Sequence, residues 1–338
     1  MKNILIFSHE FPPQAGGAGV VAQEYAKSLS SAGHNVTVLT KKRENLDHST
    51  EYEIVAIKTR QKLWFLSYFE ALNFNEFDLI LLNDPASVFF AGLFFTKEQL
   101  GKSLVFLHGS EPELIFEKPT LAKRLCFFRL FYTSALRDCK EILAVSHFMK
   151  DKFITRSKLK KLAPKVKVVY STVDRDIFYY EPDEAFRTNQ NLSEHAKILL
   201  SVSRLIEGKG YFDKLKIFRE LLSRSDEDWH WIIIGDGNYR ITLEGLIESA
   251  DLSDRIHLVG SMPRNELRAF YSNVDFFWLL SNLDESFGLV YLEAQECHCP
   301  VIARNRAGAV EAVRHGESGY LINSSEECID ILTKISTA

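Results

Sequence analysis

Short apolar runs alternating with helical patterns confine this chain to a parallel α/β architecture. In the first half the runs fall at residues 4–7, 36–39, 54–57, 79–82, 104–107, 142–145 and 166–169. In the second half they fall at 198–202, 231–234, 256–259, 276–280, 301–303 and 320–322. Strands buried on both faces read as continuous apolar runs. Helical crossovers between successive strands make the strands parallel. Two such series predict two Rossmann-like domains, each built on a parallel sheet. Residues 179–192 are polar and unpatterned, the best candidate linker. The boundary is therefore placed near 180, giving domains 1–180 and 181–338. A chain of 338 residues is long enough for two domains of about 100–200 residues each.

Three motifs carry chemistry. Glu285 and Glu293 stand eight positions apart around Phe287-Gly288, at the predicted start of a helix. Carboxylates accept hydrogen bonds from paired sugar hydroxyls, and the free backbone N–H groups of a helix N-terminus attract phosphate. A sugar nucleotide needs both. The plainer reading makes Glu285 a charge favoured by the helix dipole and Glu293 a solvated face residue. After the run 198–202, Arg204 and Lys209 lie five residues apart in a glycine-containing loop. A planar fork and a mobile point charge on one loop can close on a diphosphate, although an ordinary exposed loop has the same composition. Residues 4–7 run into Pro12-Pro13 and Gly16-Gly17-Ala18-Gly19, then into a helix predicted over 20–32. Glycines there let the backbone approach a ligand.

Together these pieces resemble glycosyltransferase family 4, a group of retaining enzymes with the GT-B fold. The ordered landmarks are Pro12-Pro13 with Gly16-Gly17, Gly33-His34, His108-Gly109, Val145-Ser146, Val173-Asp174 with Phe178, and Ser203-Arg204-Leu205 with Lys209-Gly210. They continue through Gly235-Asp236-Gly237, Gly260, Ser281, the Glu285/Glu293 pair, Pro300-Val301-Ile302-Ala303, and Gly308 with Glu311, Gly316 and Gly319. The resemblance implies an acceptor-binding N-terminal domain and a nucleotide-sugar-binding C-terminal domain. By resemblance Glu285 holds donor-sugar hydroxyls and Glu293 the ribose hydroxyls. Arg204 and Lys209 neutralise the diphosphate leaving group, beside Phe287 and Gly288. Gly16 and Gly17 approach donor and acceptor, and His108 sits at the reacting carbon. The implied donor is a UDP- or GDP-linked hexose or N-acetylhexosamine. The implied acceptor is a glycan or a lipid-linked molecule of cell-surface polysaccharide or lipopolysaccharide synthesis.

No cofactor is implied. Asp174-Arg175-Asp176 reads as the Asp-x-Asp that holds a divalent ion in the other major glycosyltransferase fold, but it lies where this family carries an interdomain segment. Cys297-His298-Cys299 has no second ligand pair, so no metal is expected. His298 stands where the family usually has Gly, as does Thr172. About sixteen residues follow Ile322, where the family usually continues through further helices. A compact member and a truncated chain both fit.

Charge divides near the same boundary: residues 1–170 carry a net +7 and residues 171–338 a net −11. The basic residues concentrate at Lys150, Lys152, Arg156, Lys158, Lys160, Lys161, Lys165 and Lys167. Lys123, Arg124 and Arg129 lie among Leu125, Phe127, Phe128, Leu130 and Phe131. Basic residues interleaved with aromatics can seat on an anionic membrane, and solvated helix faces share the composition. Nucleic acid is not expected, since no helix-turn-helix, RRM or zinc pattern accompanies the charge. No leader and no bilayer-spanning run are read. Five cysteines, an odd number, suit reduced thiols. The expected location is cytoplasmic, with peripheral contact at the inner membrane's cytoplasmic face. Oligomeric state is not legible. Two other classes fit the same fold: a nucleotide-sugar epimerase, which would need acid/base carboxylates at the reacting carbon, and a non-catalytic glycan-binding or partner subunit. An oxidoreductase fits poorly, because Gly16 to Gly19 lacks the spaced three-glycine pattern.

Overall fold

The structure is a computed structural model that describes residues 1–12, 16–43, 50–59, 64–69 and 71–335. The chain forms two compact units, Met1–Ser171 and Thr172–Ala338. In the first, β1 (Asn3–Phe7), β2 (Asn35–Lys41), β3 (Glu53–Ile57), β4 (Leu79–Leu82), β5 (Ser103–Leu107), β6 (Glu141–Ala144) and β7 (Val166–Val168) make one sheet. Its order is β3-β2-β1-β4-β5-β6-β7 and every pairing is parallel. In the second, β8 (Lys197–Val202), β9 (Trp229–Ile234), β10 (Ile256–Gly260), β11 (Phe276–Leu279), β12 (Val301–Arg304) and β13 (Gly319–Ile322) pair in the order β10-β9-β8-β11-β12-β13. These pairings too are parallel.

Both sheets change direction once. The chain builds outward from the first strand in one direction, then returns to the first strand's other edge. At that edge β1 meets β4 and β8 meets β11. Loops leaving the carboxyl ends of two such strands diverge and open a crevice, where doubly wound sheets bind ligands.

Packing explains why the elements hold. In the first unit Ile4, Ile6, Val36, Val38, Leu81, Phe106 and Leu143 are buried against Ala22 and Ala26 of the helix Gly17–Ser31. Each large apolar side chain so buried contributes about 1.5–3 kcal/mol. In the second unit the helix Tyr211–Arg224 buries Tyr211, Leu215, Phe218 and Leu221, a helical stripe, against Trp231 and Trp278. One cation sits in this core. Lys214 is fully buried, with its Nζ 4.0 Å from the Tyr211 ring centre and 3.0 Å from Ser201 Oγ. Burial pushes its pKa well down.

The two compact units divide at 171/172, because the following segment is bonded to the second unit. Glu181 N donates to Ser272 Oγ (3.1 Å), Asp183 N donates to Asn273 Oδ1 (2.7 Å), and Phe178 packs on Tyr271. One reading of the 285–299 region is corrected. Glu293 is not a solvated face residue, being only 4% exposed. The helix that carries it ends at Glu296, and His298, where the family usually has Gly, takes a left-handed φ of 58°. That is the conformation for which glycine is favoured. Among the described residues no helix is long and apolar enough to cross a membrane.

Candidate active site

In the first unit, polar side chains gather where β1 and β4 end. Ser8 follows β1, Asn83 and Asp84 follow β4, and His108 follows β5. Asp84 caps the helix Pro85–Phe94, accepting from Ser87 N at 2.8 Å, and its other oxygen accepts from Glu10 N at 2.9 Å. The loop after β1 is thus tied to the helix after β4. Asn83 Nδ2 donates to the Ala18 carbonyl (2.8 Å) and to Ser8 Oγ (2.9 Å). A carbonyl can only accept, so the amide orientation is fixed and Asn83 Oδ1 must accept from His108 Nε2, 3.0 Å away. His108 therefore carries its proton on Nε2 and presents Nδ1 as an acceptor. Burial lowers its pKa, with the Glu111 and Asp84 charges opposing, which favours the neutral ring. Glu111 is itself buried and accepts from His108 N (2.8 Å) and Gly109 N (2.7 Å), holding the loop after β5.

Gly16 and Gly17 open the helix Gly17–Ser31, which has no side-chain cap at Gly16. Its first N–H groups therefore lack intrahelical partners. Asn83 links this helix start to His108, so Gly16, Gly17 and His108 belong to one cluster. Pro13, at the same loop, lies outside the described residues.

In the second unit the cluster forms where β8 and β11 end. The loop after β8 runs through Arg204 to a short 3-10 turn, Glu207–Lys209, and then Gly210. Gly210 has φ 69°, and a Cβ there would strike the Leu280 carbonyl oxygen, so the two loops can close only on glycine. Asn282 N donates to Gly208 O (2.8 Å). Lys209 Nζ reaches Glu285 Oε1 at 2.6 Å, the side chains being 14% and 17% exposed. The Glu285 carbonyl accepts from Gly308 N at 2.8 Å. Arg304, at the end of β12, braces both loops through Asp213 (3.1 Å) and the Leu280 carbonyl (3.2 Å). Arg204 is exposed and its guanidinium has no partner among the described residues.

Phe287 is buried, and Gly288 (φ 92°) opens the helix Leu289–Glu296 that carries Glu293. The two acidic residues differ in setting. Glu285 pairs with Lys209, whereas Glu293 Oε1 accepts from Arg264 Nε at 2.8 Å and Oε2 accepts from the Tyr271 hydroxyl at 3.3 Å. Burial raises the Glu293 pKa, and the Arg264 charge and both hydrogen bonds oppose that. Asp174 Oδ1 accepts from Asp176 N (3.0 Å), a local turn bond, while Arg175 pairs with Glu296. Among the described residues no group of three His, Cys, Asp or Glu is arranged to hold a metal ion.

Sequence reasoning missed Ser8, Asn83, Asp84 and Glu111. The signal for the first three is positional: each directly follows an apolar run, at the carboxyl end of a strand. That end is a ligand site only where β1 and β4 adjoin, which strand order decides and composition does not.

Two parallel α/β units, each with a polar cluster at the carboxyl end of its switch point, define the GT-B class of glycosyltransferase. Residues 15–177 match the family model described as Glycosyltransferase Family 4, and residues 182–337 match Glycosyl transferases group 1. The chain belongs to this glycosyltransferase family and acts on a sugar donor. It is 24% identical over 332 residues to an N-acetyl-alpha-D-glucosaminyl L-malate synthase of Bacillus anthracis, covering 91% of this chain and 81% of the relative. It is 24% identical to the phosphatidylinositol N-acetylglucosaminyltransferase GPI3 subunit of Saccharomyces cerevisiae, covering 98% and 75%. The fold matches that of Anabaena HepE, solved with UDP and glucose, with a TM-score of 0.74 at 21% identity over 99% of this chain and 89% of that one.

Proposed function

We propose that the protein transfers a hexose or N-acetylhexosamine from a UDP- or GDP-linked donor, with retention of configuration, to a glycan or lipid-linked acceptor. The observation that carries this reading is the Lys209–Glu285 pair at the carboxyl end of the β8/β11 switch point. It sets a cation for the diphosphate beside a carboxylate for sugar hydroxyls. Arg204, exposed on the same loop, supplies the second cation. As the bond from sugar to phosphate breaks, charge grows on the leaving diphosphate, and fixed cations there act mainly in the transition state. The acceptor oxygen forms the new bond on the face the diphosphate leaves, and a leaving phosphate oxygen takes the acceptor proton. Glu293 holds ribose hydroxyls, and Phe287 and Gly288 shape the start of the helix that carries it. His108 faces the reacting carbon with Gly16 and Gly17 beside it.

No cofactor is assigned, because Arg204 and Lys209 supply the positive charge. Anabaena HepE, solved with UDP and glucose, supports a nucleotide-sugar donor, and the yeast phosphatidylinositol N-acetylglucosaminyltransferase subunit supports a phosphatidylinositol acceptor. Cell-surface polysaccharide or lipopolysaccharide assembly on the cytoplasmic face of the inner membrane is the proposed setting. Peripheral contact with anionic lipid goes with it, through the basic first unit. A calorimetric screen of UDP- and GDP-sugars, followed by assay of slow donor hydrolysis, tests the reading. Tight binding with hydrolysis above background is expected. Absence of binding to any sugar nucleotide would reject it.

A further inference from the structure

Between Lys118 and Arg137 the sequence places five basic residues and no acidic one, and here the first unit turns large apolar side chains outward. The helix Leu121–Leu125, capped by Thr120, buries none of its side chains. Leu121 and Leu125, one turn apart, are 72% and 71% exposed, and Phe127 and Leu130 beyond them are 65% and 59% exposed. Isolated exposed apolar residues need no explanation, but a cluster of this kind marks an interaction surface.

The corner is built, not frayed. Cys126 N donates to Ala122 O (3.1 Å), Phe127 N to Arg124 O (3.1 Å) and Leu130 N to Phe127 O (2.9 Å). Phe127 holds a left-handed φ of 53°, a conformation that a bulky side chain rarely adopts. Its neighbour Phe128 is buried and stacks on Phe89 at 4.4 Å, so the fold anchors one ring and leaves the next in solvent.

Charge selects the partner. Lys118, Arg124 and Arg129 are exposed around the apolar tip. The acids nearest in sequence, Glu113 and Glu117, are paired with Lys152 and Arg156. An apolar tip ringed by cations complements an anionic bilayer, in which apolar groups enter the acyl boundary and cations meet headgroups. The Lys150 to Lys167 run suits that task less well. Lys152 is 7% exposed on Glu113, Arg156 bonds Glu113 at 2.7 Å, and Lys165 Nζ donates to Cys139 O at 2.7 Å.

We propose that the corner 118–130 inserts into anionic membrane, with Leu121, Leu125, Phe127 and Leu130 below the headgroups and Lys118, Arg124 and Arg129 among them. This deepens the membrane contact proposed above and rests on it, but not on glycosyl transfer. The test is sedimentation of the full chain with phosphatidylcholine vesicles, with and without phosphatidylglycerol. The protein should pellet with the anionic vesicles, and Leu125→Asp with Phe127→Asp should lower partitioning by about tenfold or more, with thermal melting and nucleotide binding unchanged. Leu125→Trp should show blue-shifted emission on the same vesicles. Unchanged partitioning of the double variant, or loss only on neutralising Lys158, Lys160 and Lys161, would overturn the wedge and leave membrane contact standing. No vesicle binding by the unaltered chain would overturn both, leaving donor binding untouched. A lipid-free dimer that the double variant splits would assign the corner to a second copy instead.

Discussion

Asn83 decides which nitrogen of His108 carries the proton. Its Oδ1 lies 3.0 Å from His108 Nε2, while its Nδ2 is committed to the Ala18 carbonyl at 2.8 Å. A carboxylate at this position would favour the imidazolium, because an opposite charge at hydrogen-bond distance stabilises the charged ring. Asn83→Asp should therefore raise the His108 pKa from below its ordinary value to above it. NMR titration of the ring carbons reads this directly. If the reacting carbon needs a neutral His108, turnover of the variant should recover as pH rises through the new value. An unmoved titration would show that the Asn83 contact does not set the ring's charge state.

The same ring makes stability sensitive to acid. Burial depresses the folded-state pKa of His108 below its unfolded value near 6.5. Above about pH 6.5 both states are neutral and the group adds no pH dependence. Below that value the unfolded chain takes up a proton first, so stability falls, and the loss is complete only below the folded pKa. His108→Gln can keep a donor toward Asn83 without titrating. Its melting temperature should fall less steeply between pH 7 and 5 than that of the unaltered protein. His9 is depressed by burial in the same direction, so a residual slope should remain. Parallel slopes for the two proteins would remove His108 from the acid response.

All thirteen strands were legible because each is a compact apolar run, and the structure shifts their ends by only a residue or two. Less legible was anything set by contacts distant in sequence. Residues 179–192 look like a linker by composition, yet Ser272 and Asn273 tie Glu181 and Asp183 to the second unit. Glu293 looks like a helix face charge, yet Arg264 and Tyr271 reach it from the region after β10. Lys152 and Lys165 read as solvated charges in a basic run, but they bond backbone carbonyls of Gly109 and Cys139. Such pairings depend on which loops the sheet order brings together, and local sequence does not encode it.

Glu285 and Glu293 should separate by ligand and by stability. Glu293→Gln leaves the Arg264 guanidinium without its carboxylate, so it should destabilise the fold by about 1–3 kcal/mol and weaken nucleotide and intact donor alike. Glu285→Gln, at a more accessible site, should weaken the donor far more than the free nucleotide. Calorimetric titration with UDP or GDP and the matching sugar nucleotide measures both. Equal losses for both ligands in both variants would show that the proposed division of contacts is wrong.

Arg204 and Lys209 should lose activity together and stability apart. Each is proposed to face the developing charge on the diphosphate, so Arg204→Ala and Lys209→Ala should each lower turnover by about two to three orders of magnitude, as when one oxyanion donor is removed. Arg204 is exposed and its guanidinium has no hydrogen-bond or ion-pair partner among the described residues, so its variant should melt as the unaltered protein does. Lys209→Ala instead strands the largely buried Glu285 carboxylate, which it meets at 2.6 Å, and should destabilise by about 1–2 kcal/mol. Combining Lys209→Met with Glu285→Gln removes both charges and should restore the melting temperature without restoring turnover. Full turnover in both single variants would place the diphosphate elsewhere. A double variant that recovered activity with stability would mean that the Lys209–Glu285 pair only holds the loops together.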